Sequence, residues 1–215
     1  MVHNLSIHNS IVNQFVAELR DVQIQKDRMR FRKNLERLGE IFAYEISKTL
    51  PYEEKEVITP LGIAMVPMLK EQPIIGTILR AGLPLHYGLL NYLDQADNSF
   101  ISAYRRHHKD GSFDIKLEYV GSPALHDREL ILCDPMLATG SSIVLTYKAL
   151  LEKGTPRHTH IVCALASTLG VEYVKRNLPS NITIWAAAID EELTAQSYIV
   201  PGLGDAGDLA FGSKI

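Results

Sequence analysis

From residue 74 onward the chain repeats one pattern, a short apolar run followed by a segment with helical spacing. IIGTIL precedes GLPLHYGLLNYL, ELILCD precedes SSIVLTYKALLEKG, and HIVCALA precedes VEYVKRNL; SFISAY leads through a polar stretch to IKLEYV, and ITIWAAAI leads to a strand-like SYIV. Apolar runs this short suit strands buried on both faces, and the helical segments suit crossovers between them. The pattern therefore predicts a parallel sheet flanked by helices, with ligand sites at the carboxyl ends of the strands.

The first part of the chain adds to that frame. Val12, Phe15, Val16 and Leu19, then Phe31, Leu35, Leu38, Phe42 and Ile46, recur at three- and four-residue spacing, so residues 11–50 read as helix, ended by Pro51. The proline-marked stretch EVITPLGIAMVPML reads as a hairpin or arm beside the main sheet. With 215 residues, 46% hydrophobic and 22% charged, the expected architecture is one α/β domain over residues 1–215, with N-terminal helices and a small β arm.

Charge and cysteine usage narrow the function. The formal charge is −3 and acids and bases are interspersed, so the chain has no global basic footprint for nucleic acid, and any anion must be held locally. Cys133 and Cys163 each sit inside an apolar run, which favours buried, reduced thiols over a disulfide or a zinc pair. The N-terminus lacks the apolar stretch of a signal peptide and no segment approaches a membrane span. A cytoplasmic, soluble protein without a membrane partner is expected.

The sharpest local signal is ELILCDPMLATGSS, residues 129–142. An apolar strand ends in Asp134, a short loop follows, and Thr139, Gly140, Ser141 and Ser142 open an apolar-periodic helix. Free N–H groups and the positive dipole end favour a phosphate there, Gly140 lets the backbone approach, and the hydroxyls supply further donors. Asp134 is placed to accept from sugar hydroxyls. Taken alone, the same residues fit a Thr139 helix cap and an Asp134 turn. The string resembles the phosphoribosyl pyrophosphate (PRPP) loop of type I phosphoribosyltransferases, and DPMLATG resembles the uracil phosphoribosyltransferase branch in particular. The resemblance implies that Asp134, Pro135, Met136, Leu137, Ala138, Thr139, Gly140, Ser141 and Ser142 bind PRPP. Ser141 stands where the family usually has a second glycine.

Residues 198–214, YIVPGLGDAGDLAFGSK, contain Gly202, Gly204 and Gly207 in the spacing G-x-G-x-x-G. A dinucleotide fingerprint needs a following βαβ unit and an acid about 20 residues on, and the chain ends too soon. Its Tyr, Ile, Val, Leu and Phe residues favour an ordered loop closing on a ligand over a loose tail. YIVPGLGDAGD resembles the uracil-binding segment of the same family. That likeness implies uracil contacts at Ile199, Gly204, Asp205 and Ala206, with Asp205 also facing PRPP. Leu209, where a basic residue is usual, and Ala210 depart from the family pattern.

Two further strings extend the likeness, which covers most of the chain from about residue 74. IIGTILRAGLPLHYG sets Arg80 directly after a strand, and LRAG resembles the family's pyrophosphate loop, with Pro84 and Leu85 as departures. In AYRRHHKDG, the one basic concentration, the resemblance assigns PRPP to Arg105; Arg106, His107, His108 and Lys109 have weaker claims. The histidine pairs His107–His108 and His158–His160 lack a nearby Cys or carboxylate cluster at zinc spacing. The implied reaction is transfer of the ribosyl C1 from pyrophosphate to uracil N1, with Arg80, Arg105, Asp134 and Asp205 as its catalytic groups. Mg²⁺ enters with PRPP and no metal is held by the protein itself. The family likeness also implies a homodimer or larger homo-oligomer and an allosteric nucleotide such as GTP. An inactive or regulatory pyrimidine-sensing paralogue is the alternative.

Overall fold

A computed structural model describes residues 1–107 and 113–213, with the side chains of 103–116 outside the description. The chain opens with a short strand, Val2–Asn4 (β1), then two helices, Ile11–Arg20 (α1) and Arg28–Ser47 (α2). The expected single helix over 11–50 is therefore two. The break has a local cause: the Asp21 carboxylate accepts from the N–H groups of Gln23 and Ile24 at 2.8 and 3.0 Å, and Asp27 caps α2 through Met29 and Arg30 at 3.0 and 3.1 Å. Such side-chain bonds offer the backbone an alternative to continued helix. Across the break, Glu18 accepts from Arg30 at 2.8 Å and from Asn34 at 2.7 Å. The Arg30 guanidinium, with Gln14 and Asn34, holds the Glu18 carboxyl down at about 2.

The arm is a two-stranded antiparallel hairpin, Tyr52–Thr59 (β2) with Gly62–Leu69 (β3), separate from the main sheet. Then come Ile74–Leu79 (β4), Leu83–Leu90 (α3), Asp97–His107 (β5), Phe113–Gly121 (β6), Glu129–Cys133 (β7), Met136–Leu137 (β8) and Ser141–Leu150 (α4). His158–Ser167 (β9), Thr168–Asn177 (α5), Ile182–Asp190 (β10), the pair Glu192–Leu193 (β11) and Ile199–Val200 (β12), and Ala206–Phe211 (α6) complete the described chain.

The main sheet runs β1-β10-β9-β7-β4-β5-β6, with β8 added on β9. Its pairings are parallel except β5–β6, which is antiparallel. That exception corrects the parallel reading of SFISAY and IKLEYV: the stretch between His107 and Phe113 is too short for a crossover, which takes a dozen residues or more. Edge strand β1 went unread because three residues carry no periodicity.

Alternation along the strands sorts the core into two layers. Ile75, Ile131, Val162 and Trp185 join the face packed against α1, α2, α3 and α6. Ile74, Leu130, Leu132, Ile161 and Ile184 join the face packed against α4 and α5. Both thiols are free and buried at the sheet centre, and burial pushes Cys133 up to about 12 and raises Cys163 as well. Among the described residues no helix is long and apolar enough to cross a membrane.

Candidate active site

Strand order reverses direction at β4, since β5 lies on one side of it and β7 on the other. The carboxyl ends of β4 and β7 therefore lie at a topological switch point, the usual ligand position in an open α/β sheet. The first of the loops leaving these ends carries Arg80 and the second carries residues 134–140.

In the second loop, Asp134 donates its N–H to Val162 at 3.0 Å and accepts from Met136 N at 3.3 Å. Met136 and Leu137 then pair with β9, which turns the chain toward α4. Met136, Leu137, Ala138, Thr139, Gly140, Ser142 and Ile143 line a small depression that opens to solvent. Gly140 stands at the helix start with φ 80°, in the left-handed region. A Cβ there would also press to 2.9 Å from the Gly170 carbonyl. Only glycine combines that φ with that approach at low cost. The Thr139 hydroxyl bonds the Ser141 hydroxyl at 3.1 Å and accepts from its N–H at 3.3 Å. These are long contacts that an incoming anion can replace.

The loop is anchored from behind by residues the sequence reading missed. Ser167, fully buried at the tip of β9, donates to the Ala138 carbonyl at 2.6 Å and accepts from Gly170 N at 2.8 Å. A Cβ on Gly170 would collide with that same carbonyl, so the first turn of α5 and the phosphate loop are in van der Waals contact along their backbones.

Arg80 meets the C-terminal segment. Its guanidinium donates to the Gly212 carbonyl at 3.0 Å and lies 3.8 Å from Asp208, with 43% of its side chain exposed. Asp205 caps α6 by accepting from Asp208 N at 3.0 Å. Gly204 has φ 96°, and Ile199 and Ala206 are buried with the helix-side core. Ile199 and Ala206 can thus face a ligand only through main-chain groups. Leu209 packs against that core as well, and a Cβ on Gly204 would lie 3.9 Å from its methyl.

The structure therefore gathers two of the predicted loops, those of Arg80 and of 204–208, into contact, and sets the 134–140 loop on the neighbouring strand. Arg105 lies on β5 opposite Ile115, and its side chain falls outside the described residues, as do His108 and Lys109 altogether. His158 and His160 lie at the other end of the sheet, engaged with Thr183 at 2.9 Å and Trp185 at 3.1 Å.

A family model described as uracil phosphoribosyltransferase matches residues 6–213. The chain belongs to the uracil phosphoribosyltransferase family. A uracil phosphoribosyltransferase of Porphyromonas gingivalis is 53% identical over 214 residues, covering 100% of this chain and 99% of that protein. One from Pyrococcus furiosus is 37% identical over 207 residues, covering 95% and 87%. Among solved structures, a protein from Aquifex aeolicus superposes with a TM-score of 0.88 at 29% identity, over 100% of both chains. These matches begin well before residue 74, so the family likeness extends through α1, α2 and the arm.

Two further residues of this family member stand behind the C-terminal loop, Arg20 at the end of α1 and Asp190 at the tip of β10. The signal that marked Asp134, an acid at the end of an apolar strand, is equally present in ITIWAAAID and was not followed there.

Proposed function

We propose that the site at the ends of β4 and β7 transfers the ribosyl group of PRPP to uracil, so that the chain acts in pyrimidine salvage as a pentosyl-transferring enzyme. The observation that carries this reading is the coincidence, at one topological switch point, of the Gly140 phosphate cradle and the Arg80 loop in a chain whose family is named for that reaction.

In this reading the 5-phosphate sits among residues 137–142, where main-chain N–H groups at the start of α4 and the hydroxyls of Thr139, Ser141 and Ser142 receive it. Asp134 accepts from the ribose hydroxyls, together with the flanking Pro135 and Met136. Arg80 and Arg105 take the pyrophosphate, and main-chain groups at Ile199, Gly204, Asp205 and Ala206 read the imide edge of uracil. The C1–O bond to pyrophosphate breaks with its electron pair leaving on oxygen, and the N1–C1 bond forms. The N1 proton passes to water or a loop group. An oxocarbenium-like transition state puts positive charge on the ribose, which Asp134 and Asp205 stabilise. The negative charge on the pyrophosphate grows as it departs, so Arg80 stabilises the transition state more than the bound substrate and its contribution falls on the chemical step. Mg²⁺ carried on PRPP would offset further charge on the leaving group. Asp134 and Asp205 stand on separate loops rather than in one donor set, and among the described residues no three His, Cys, Asp or Glu side chains are grouped to hold a metal.

A cytoplasmic setting, supported by the two free buried thiols, and a homo-oligomer with a regulatory nucleotide such as GTP complete the reading. The deciding experiment follows UMP formation from uracil and PRPP with Mg²⁺, with cytosine, hypoxanthine and orotate in parallel. UMP from uracil alone is expected. Turnover of another base in its place, or of none, overturns the reading.

A further inference from the structure

Asp190 ends β10 with its carboxylate 8% exposed, and Arg20 meets it with both guanidinium nitrogens, Nη1 to Oδ2 and Nη2 to Oδ1 at 2.7 Å each. A buried ion pair is a poor device for stability, since desolvation offsets most of its attraction and apolar replacements are often neutral or better. What distinguishes this pair is its other partner. Asp190 Oδ2 also accepts from Gly202 N at 3.0 Å, and Arg20 Nη1 also donates to Gly202 O at 3.0 Å. Both main-chain groups of one loop residue are thus held by one ion pair.

Gly202 is where the loop needs such a hold. Its φ is 57°, and a Cβ would collide with the Ile199 carbonyl. Pro201 has no N–H to give. Among the described residues, the two bonds to Gly202 are the only hydrogen bonds made by the main chain of residues 201–204. The peptides running from Gly202 toward Gly204, among the groups assigned to uracil, thus take their hydrogen-bonded support at Gly202 from Arg20 and Asp190, while Asp205 is held by α6. The phosphate side is joined only to the Asp190 main chain, which side-chain changes leave in place. Asp190 pairs in register with Ser167, the anchor of Ala138, and the next residue, Thr168, bonds the Asp190 carbonyl at 3.4 Å.

We propose that Arg20 and Asp190 are positioning residues for the nucleobase: their ion pair sets the main-chain groups of the 202–205 loop at the geometry that recognises uracil. The inference rests on the reading of that loop as the base site.

The test compares Asp190→Asn, Arg20→Lys and the apolar double variant Arg20→Met/Asp190→Leu with wild type and with Arg157→Ala, a change at the opposite end of the sheet. Each is assayed for Tm, for KM of uracil and of PRPP, and for kcat at saturating substrates. Both single variants should raise the uracil KM about tenfold or more, leaving the PRPP KM and kcat within about twofold, because each loses part of the fork that fixes Gly202. The double variant should recover the wild-type Tm, as apolar replacements of buried pairs do, and keep the raised uracil KM. A double variant that recovers both, or single variants whose uracil KM moves no more than that of Arg157→Ala, overturns the inference and leaves the proposed reaction standing. Wild-type protein that forms no UMP overturns the reaction and the inference with it.

Discussion

The two ends of the central sheet are built from the same strands and do opposite things with charge. At the amino ends, cations and anions are matched: Arg157 contacts Glu71 at 2.8 Å and Asp127 at 3.1 Å, Arg128 contacts Asp97 at 3.1 Å, and Glu129 lies 3.6 Å from His160. Around the ends of β4 and β7 the polar groups are held loosely or by backbone alone, the tight Arg20–Asp190 pair standing apart at the tip of β10. Arg80 has one main-chain acceptor and a carboxylate at 3.8 Å, and the Thr139 contacts exceed 3 Å. The first end spends its hydrogen-bonding capacity within the protein, and the second keeps it for a ligand. Support and function are thus separated along one set of strands, which is why the site can carry the loosely matched Arg80 without threatening the fold.

That contrast breaks if changes at the carboxyl ends unfold the protein or changes at the amino ends slow it. The largest effect is expected for Arg80→Ala, a fall in kcat on the order of a hundredfold or more, the scale of losing one charge-stabilising donor, with Tm close to wild type. Steady-state kinetics beside calorimetry reads both quantities, and near-normal turnover would remove Arg80 from the chemistry. Next in size is Glu18→Gln, which leaves Arg30 and Asn34 poorly matched and should cost about 1–2 kcal/mol, lowering Tm by roughly 3–6 °C. Its pH dependence supplies the sharper readout. The Glu18 carboxyl is depressed to about 2, so the stability it contributes is fully present above the ordinary carboxylate pKa near 4.5 and is lost as pH falls toward 2. The variant should therefore approach wild-type stability as the medium is acidified across that window, and a constant difference in urea midpoint from pH 6 to pH 3 would contradict the assignment.

Thr139→Val keeps the shape of the cradle and removes its hydroxyl, so the affinity for PRPP should weaken by about 1 kcal/mol, roughly fivefold. Unchanged PRPP affinity in titration calorimetry would return Thr139 to helix capping alone. The smallest effect belongs to Arg157→Ala, whose pairs are 38% exposed on the arginine side. A loss of at most about 1 kcal/mol in denaturant unfolding is expected, with kinetic constants unchanged. A slowed enzyme would join the two ends that the present geometry separates.

How much of this was legible in sequence depended on whether the cause was contiguous. The strand–loop–helix arrangement of residues 129–142 could be read because strand, acid, loop and helix start follow one another, and each residue type has a local reason to be there. Its anchor could not, because Ser167 is 29 positions from the carbonyl it holds. Arg20 and Asp190 are 170 positions apart, and their joint grip on Gly202 exists only once α1 has packed beside the end of β10. The helix break at Asp21–Asp27 was legible in principle, since two aspartates offered caps, but the apolar spacing on either side reads alike whether the helix is continuous or cut. The antiparallel turn of β6 was likewise written in the shortness of its connection. In the 199–206 segment, the burial of Ile199 and Ala206 in the core emerged only from the fold.

The single tryptophan offers a practical consequence. Trp185 stacks on His3 of the edge strand with ring centroids 4.0 Å apart and gives its indole N–H to His160. It lies on β10 five residues before Asp190, about 16 Å along an extended strand. Its emission is therefore a gauge of whether β1 is docked, responsive to loosening of that edge. The same signal should stay flat while nucleotide fills the far side of the molecule. Substrate titrations followed by intrinsic fluorescence would then look like non-binding, and a second fluorophore near the loops is needed to see occupancy at all.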